Sequence, residues 1–193
     1  MLGYLFGSIP SGYLAGKWLA DIDLREIGSG STGATNVLRH VGKKASLIVF
    51  IFDVSKGILA VSLANSLNLT DSWIVATGLA SISGHIWPVW LKWKGGKAVA
   101  TALGVMVGIS WQVGLSCLGI FLIVLSISRI VSLSSIIAAV SLPILMLLSF
   151  KESLFSHAYL NLTILTMIIV LWRHRSNLRR IIEGKEPQIG RVS

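Results

Sequence analysis

The sequence predicts an all-α integral membrane protein, a polytopic bundle of about seven membrane helices with a short central hairpin, N-terminus outside and C-terminus cytoplasmic. Three observations carry this reading. Hydrophobic residues make up 53% of the chain and charged residues 13%, against about 25% charged in soluble domains, and mean hydropathy is +0.77. The apolar residues gather into runs at 1–20, about 45–70, 72–91, 98–128, 133–149 and 154–172. The cations gather in the polar stretches between them, and unequally. A soluble domain of 193 residues has too little interior to hide this much apolar surface. The same composition excludes a disordered chain, a disulfide scaffold and a free nucleic-acid binder, so no nucleic-acid partner is expected and 1–193 reads as one membrane domain.

The first run reads as a retained span rather than a secretory signal, because it has no basic N-terminal region, no small-residue cleavage site, and its lysine, Lys17, lies at the far end. Gly3, Gly7, Pro10, Gly12 and Gly16 interrupt it, so it barely crosses the hydrocarbon. In the second run Asp53 and Lys56 fall i,i+3 on one helix face and are expected to pair toward the bundle interior as a structural pair. The third run ends at Gly84-His85-Ile86-Trp87-Pro88, where packing at a proline stop explains His85 as well as function does. In the last run His157 and Asn161 are i,i+4 and read as interhelical hydrogen-bonding residues. Cys117 is the single cysteine, so no intrachain disulfide exists, and no zinc-type Cys/His cluster is present.

Charge sets the topology. Net charge is +1 over 21–44, +3 over 91–97 and +4 over 173–193, eight of the nine excess positives. The connection at 65–72 carries only Asp71, and at 150–153 Lys151 is cancelled by Glu152. The three basic stretches are therefore expected on the cytoplasmic side. Both 91–97 and Arg129 then face the same side, so 98–128 must cross an even number of times and turn near Gly108–Gly114. Each arm of that hairpin would hold about 15 residues, or about 22 Å of helix, short of the roughly 30 Å hydrocarbon. Trp18, Trp73, Trp87, Trp90, Trp93 and Trp172 sit near span ends, and Trp111 at the outer turn, as an interfacial belt requires.

The chemistry lies in the basic stretches. In Gly28-Ser29-Gly30-Ser31-Thr32-Gly33-Ala34-Thr35-Asn36, followed by Arg39, glycines let backbone N–H groups converge, hydroxyls add donors, and a guanidinium offers a fork for phosphate. The bland alternative is a flexible Gly/Ser loop; the segment is not a Walker loop, which needs GxxxxGK[ST]. In Lys94-Gly95-Gly96-Lys97-Ala98 two lysines flank a glycine pair where a helix starts, a second place for phosphate. Here the alternative is a positive-inside anchor with a Gly turn. Two further clusters are Arg129-Ile130-Val131-Ser132-Leu133-Ser134-Ser135 and Arg173-His174-Arg175-Ser176-Asn177; His174 could donate to phosphate or exchange a proton near neutral pH.

At these residues the sequence resembles the bacterial acyl-phosphate glycerol-3-phosphate acyltransferases, over nearly the whole chain from Gly7-Ser8-Ile9-Pro10 to Glu186. The motifs that carry the likeness are Gly28-Ser29-Gly30 with Gly33-Ala34-Thr35-Asn36-Val37 and Arg39; Gly84-His85 with Pro88 and Lys94-Gly95-Gly96-Lys97; Ser132-Leu133 with Ser135; and Arg173-His174-Arg175 with Asn177. Ala98 stands where the family usually has glycine, and Ser31-Thr32 where it often has Asn-Pro. The resemblance implies a multi-pass inner-membrane enzyme, active on the cytoplasmic face, that transfers a fatty acyl group from acyl phosphate to the sn-1 hydroxyl of glycerol 3-phosphate. The products are lysophosphatidate and phosphate, the first step of phospholipid synthesis, with no cofactor or metal expected.

It further implies Ser29, Arg39, Lys97, His174 and Asn177 as catalytic residues and Gly30, Asn36, Gly95, Gly96, Ser132 and Ser135 as substrate-binding ones. Ser29, Asn36 and Arg39 would hold the acyl-phosphate head, Gly95, Gly96 and Lys97 would cradle glycerol 3-phosphate, and Ser132, Ser135, His174 and Asn177 would orient the attacking hydroxyl and departing phosphate. The partners are the two substrates and the bilayer, and the lability of acyl phosphate makes room for an enzyme that supplies it directly. A His-x4-Asp dyad is absent, since Ala45, Trp90, Leu162 and Arg179 follow the four histidines at that spacing. A transporter using the same Gly/Lys loops as a gate is the rival function, but it needs polar residues through several spans, whereas here they crowd one side, and no internal repeat is evident. A CDP-alcohol phosphotransferase would need an acidic metal motif that the eight acidic residues do not form.

Overall fold

The computed structural model describes residues 1–149 and 157–190; the Lys151–Glu152 connection, the first residues of the last apolar run and Arg191 lie outside them. Every regular element among the described residues is helical: α1 Leu2–Ser8, α2 Ser11–Ala20, α3 Ala34–His40, α4 Lys43–Ser66, α5 Asp71–Ile86 with a 3-10 turn Val89–Leu91 after it, α6 Val99–Ile109, α7 Trp111–Ser128, α8 Val131–Ser149, α9 His157–Arg173 and α10 Arg175–Ile182. They group into two compact units, Met1–Ile109 and Ser110–Ser193. Four stretches among the described residues, Lys43–Ser66, Asp71–Leu91, Trp111–Ser128 and Val131–Ser149, are long and apolar enough to cross a membrane.

Two runs differ from expectation. The first is two short helices rather than one, broken at Ile9–Pro10, because Pro10 has no N–H with which to continue α1. The central run breaks at Ser110, within the expected window, but its pieces hold 11 and 18 residues instead of two equal arms. Ser110 places the break: its backbone is extended and its hydroxyl accepts from the Val113 N–H at 3.5 Å, an N-cap that starts α7 early.

In the first unit, helices meet backbone to backbone. A Cβ on Gly7 would overlap the Ser81 carbonyl and one on Gly84 the Tyr4 carbonyl, which seats α1 on α5; Gly57 against Thr101 O and Gly104 against Val54 O do the same for α4 and α6. In lipid, close approach and dispersion must supply what the hydrophobic effect cannot. Ile82, Ile86, Val61, Val105 and Met106 are buried beside these contacts. Leu24, Val37, Ala45 and Val49 form a second cluster that anchors the 21–33 loop and α3 to the start of α4. The opposite face of α4, with Leu47, Ile48, Ile51, Phe52 and Leu59, is exposed, as a lipid-facing surface would be.

In the second unit α8 packs between α7 and α9, burying Leu142, Met146 and Leu162, and it runs through Pro143 at the loss of one ladder hydrogen bond. Trp18, Trp73, Trp90, Trp93, Trp111 and Trp172 are exposed; Trp87 is half-buried, its carbonyl accepting the Tyr4 hydroxyl at 2.7 Å.

Gly104→Ala should lower stability by about 1–3 kcal/mol, because its methyl meets backbone that cannot yield. Gly119→Ala, where nothing lies within 4 Å, should be neutral or stabilise by up to about 1 kcal/mol. Thermal unfolding of the two variants in one detergent checks the contrast.

Candidate active site

Two groups of predicted residues lie in the first unit. The 21–33 loop is held at its base by Arg25, whose guanidinium hydrogen-bonds Asp23 at 2.9 Å and 2.5 Å, stacks 5.0 Å from the Tyr13 ring and reaches Leu91 O at 3.4 Å. Hydrogen bonding from Arg25 lowers the Asp23 carboxyl to about 2. The loop then turns through Gly28 and Gly30, both left-handed at φ 58° and 64°; a Cβ on Gly28 would also overlap His40 and crowd Asn36 Oδ1.

Asn36 is buried, and its amide is committed to this turn. Nδ2 donates to Leu24 O at 3.0 Å and Ile27 O at 3.2 Å, while Oδ1 accepts the Ser29 N–H at 3.3 Å. The Gly30 and Gly33 N–H groups likewise go to Ile27 O and Ser31 Oγ. Asn36, expected to hold phosphate, here has its amide bonded within the loop that it shapes, and Ser29 and Arg39 are the exposed predicted residues of this group.

The second group, at 92–98, shows a similar economy. Gly95 donates to Ile86 O and Gly96 to His85 O, both at 3.1 Å. These amides lace the loop onto the end of α5, so the two glycines serve close approach rather than the expected cradle. A Cβ on Gly95 would overlap His85 O, and one on Gly96 the His85 ring. Lys92, Trp93 and Ala98 are left-handed at φ 53°, 65° and 59°, strain that a chain keeps only where surroundings over-determine it. Half-buried Lys97 follows the glycines, and α6, whose first-turn N–H groups have no partner within the helix, begins at Val99.

Beneath this loop is a polar cluster whose reach the sequence did not disclose. Asp53 pairs with Lys56 at 2.5 Å, accepts the Ser11 hydroxyl at 2.6 Å and lies 3.7 Å from His85 Nδ1. Lys56 donates to Ile9 O at the α1/α2 break at 2.6 Å, and Thr101 Oγ1 is 3.1 Å from His85 Nδ1. A cleft lined by Ser8, Ser11, Thr32, Lys56, His85 and Pro88 opens beside it. The i,i+3 spacing disclosed the Asp53–Lys56 pair; no local pattern disclosed Ser11, Thr101 or the Ile9 carbonyl.

The second unit holds the remaining predicted residues. His174 and Asn177 are buried at the start of α10, and Ser132 and Ser135 on the first turns of α8. Their organiser is Glu186. Its Oε1 accepts from Asn177 Nδ2 at 2.6 Å and Ser132 Oγ at 2.7 Å, and its Oε2 from Arg180 Nε at 2.7 Å. The Ile189 N–H to Arg129 O bond pins the same segment. Ser135 donates to Val131 O. His174 Nδ1 contacts the Val170 carbonyl at 2.8 Å; a carbonyl only accepts, so Nδ1 carries the hydrogen and proton exchange falls to Nε2. Burial alone would raise the Glu186 carboxyl, but the hydrogen bonds from Asn177, Ser132 and Arg180 outweigh it and hold it below its ordinary range.

The sequence pattern of the family described as "Glycerol-3-phosphate acyltransferase" matches residues 1–184. A relative of that name from Prochlorococcus marinus strain MIT 9211 is 65% identical over 100% of this chain and 93% of its own length. One from Synechococcus sp. strain CC9902 is 61% identical over 98% and 92%. Among solved structures, the chain is similar to an integral membrane glycerol 3-phosphate acyltransferase. Its glycerol 3-phosphate form gives a TM-score of 0.90 at 38% identity, covering 97% of this chain and 92% of that one. Its lysophosphatidic acid form gives 0.88 at 37%, covering 98% and 92%.

The Glu186 carboxyl titrates lower folded than unfolded, so its stabilisation is fully present above the unfolded value near about pH 4.3 and is lost as pH falls through the folded value. Glu186→Gln should lower stability at neutral pH by about 1–3 kcal/mol and flatten the acid limb of the thermal-midpoint profile. At Ala98, relief of about 1–2 kcal/mol of left-handed strain is offset by lost burial and chain entropy, so Ala98→Gly should change stability by under about 1 kcal/mol. Ala98→Val, β-branched at positive φ, should cost at least about 2 kcal/mol in the same unfolding measurement.

Proposed function

Because the chain belongs to the glycerol-3-phosphate acyltransferase family, we propose that it transfers a fatty acyl group from acyl phosphate to the sn-1 hydroxyl of glycerol 3-phosphate. It is an acyltransferase of a bacterial membrane, so the rival transporter reading falls away. The membrane is the inner one, crossed about seven times, with the basic stretches and the chemistry on the cytoplasmic face. The whole of 1–193 acts as one acyltransferase that needs no cofactor, and an acyl-phosphate-supplying enzyme is its natural partner.

The observation that carries the acceptor assignment is the strained 92–98 loop, which brings Lys97 to the first turn of α6. A cation beside the N–H groups of a helix start suits a phosphate monoester. Ser29 and Arg39 take the acyl-phosphate head, Arg39 as the bidentate fork, on a loop that Asn36 and Gly30 shape. Gly95 and Gly96 set the path of Lys97. In the second unit, His174 and Asn177 orient the attacking hydroxyl and the departing phosphate, with Ser132 and Ser135 beside them.

The sn-1 oxygen attacks the carbonyl carbon of the mixed anhydride. The new ester C–O bond forms as the C–O bond to phosphate breaks, the hydroxyl proton passes to a phosphate oxygen, and inorganic phosphate leaves. With so good a leaving group, positioning and charge stabilisation suffice. A covalent serine route would need a base next to the serine, and none is adjacent to Ser29 in sequence.

Purified protein should release phosphate only when acyl phosphate and glycerol 3-phosphate are both present. Lys97→Ala should raise the KM for glycerol 3-phosphate about 10- to 100-fold, the worth of one charge-assisted hydrogen bond. An unchanged KM would sink the Lys97 assignment, and an acyl group trapped on serine would overturn direct transfer.

A further inference from the structure

The reaction as derived leaves His85 unused, yet the chain surrounds it with unusual care. It is 7% exposed and sits at the last turn of α5, where its carbonyl accepts the Gly96 N–H at 3.1 Å. Its ring lies so close to Gly96 that no Cβ fits between them. On the far side of the ring Thr101 Oγ1 is within hydrogen-bond distance, 3.1 Å from Nδ1, and the Asp53 carboxylate stands behind it, 3.7 Å from the same nitrogen. Asp53 is itself fixed by Lys56 and Ser11.

Gly96 and Thr101 bracket Lys97 in the chain, one just before it and the other on the opening turn of α6. One imidazole therefore lies against Gly96 on one side of the cation and meets the Thr101 hydroxyl on the other. A ring that only filled space would not need a hydroxyl and a carboxylate to fix its rotation, nor a glycine to receive its edge. Histidine also differs here from an apolar filler of like size, since Nδ1 can bond Thr101 while the opposite edge abuts the loop.

We infer that His85 is a positioning residue: oriented by Thr101 and Asp53, it wedges the Gly95–Gly96 backbone against α5 and so sets where Lys97 meets its phosphate. This rests on the assignment of Lys97 to glycerol 3-phosphate. Asp53 and Lys56 then act at one remove, keeping the ring's orientation in a region where an unpaired charge would not persist.

A double-mutant cycle on the full chain in detergent tests it, with both substrates' KM values and kcat measured for each variant. Gly96→Ala should raise the glycerol 3-phosphate KM at least about tenfold with a much smaller change in kcat. In a His85→Ala background, where the ring no longer stands in the way, Gly96→Ala should add less than about twofold. Effects that multiply independently overturn the inference.

Thr101→Val keeps the shape of the helix and removes only the hydroxyl at Nδ1. It should raise the same KM about three- to tenfold, with Thr101→Ser restoring it. An unmoved KM in Thr101→Val, or no rescue by serine, also overturns the inference, whatever becomes of the bulkier variants. If Lys97→Ala moves the acyl-phosphate KM instead, the substrate assignment fails alone, and the coupling between His85 and Gly96 is read in that KM.

Discussion

A carboxylate inside an apolar bundle must be neutralised in place or it does not persist, and the way Asp53 meets that demand organises the first unit. Lys56 answers its charge and spends a further hydrogen on the Ile9 carbonyl, which at the helix break also accepts the Ser11 N–H. Ser11, the first residue after the break, closes on the same carboxylate. The interruption imposed by Pro10 thus becomes a joint rather than a defect. Through His85 the joint reaches the loop that carries Lys97, so an ion pair on α4, a broken helix and the 92–98 loop lie against one another.

The second unit follows the same rule with different groups. Glu186 lies beyond the last helix, yet its two oxygens gather Asn177, Ser132 and Arg180. Without that carboxylate, the amide, the hydroxyl and the guanidinium would be left with unmet donors. In each unit, then, a buried carboxylate gathers polar groups from separate parts of the chain.

Left-handed backbone recurs in the 21–33 and 92–98 loops, as it does at Asn68 and Arg129. Gly28 and Gly30 bear it without cost, but Lys92, Trp93 and Ala98 do not, and each left-handed non-glycine residue costs on the order of 1–2 kcal/mol. Several amides of the glycine-rich loops are already paired within the protein. Those amides are consumed by the Ile27, Ile86 and His85 carbonyls and by Asn36, leaving side chains and a helix start as the outward groups.

By itself, the sequence determined that the chain is helical and membrane-embedded, where the apolar runs lie, which stretches are basic, and which motifs belong to the family. Each of those rests on properties that are local or additive along the chain: hydropathy, charge, glycine content and spacing. Asp53 with Lys56 was legible for the same reason, since i,i+3 on a helix is a local relation. Tertiary structure decided which partners Asn36, Gly95 and Gly96 bond, that the first run is jointed, and that His85 and Glu186 lie amid polar groups from distant parts of the chain. Those facts depend on hydrogen bonds between residues as far apart as Ser11 and Asp53, His85 and Thr101, or Ser132 and Glu186. A polar group's role is set by the partner that satisfies it, and that partner is chosen by the packing of helices rather than by neighbours in the chain.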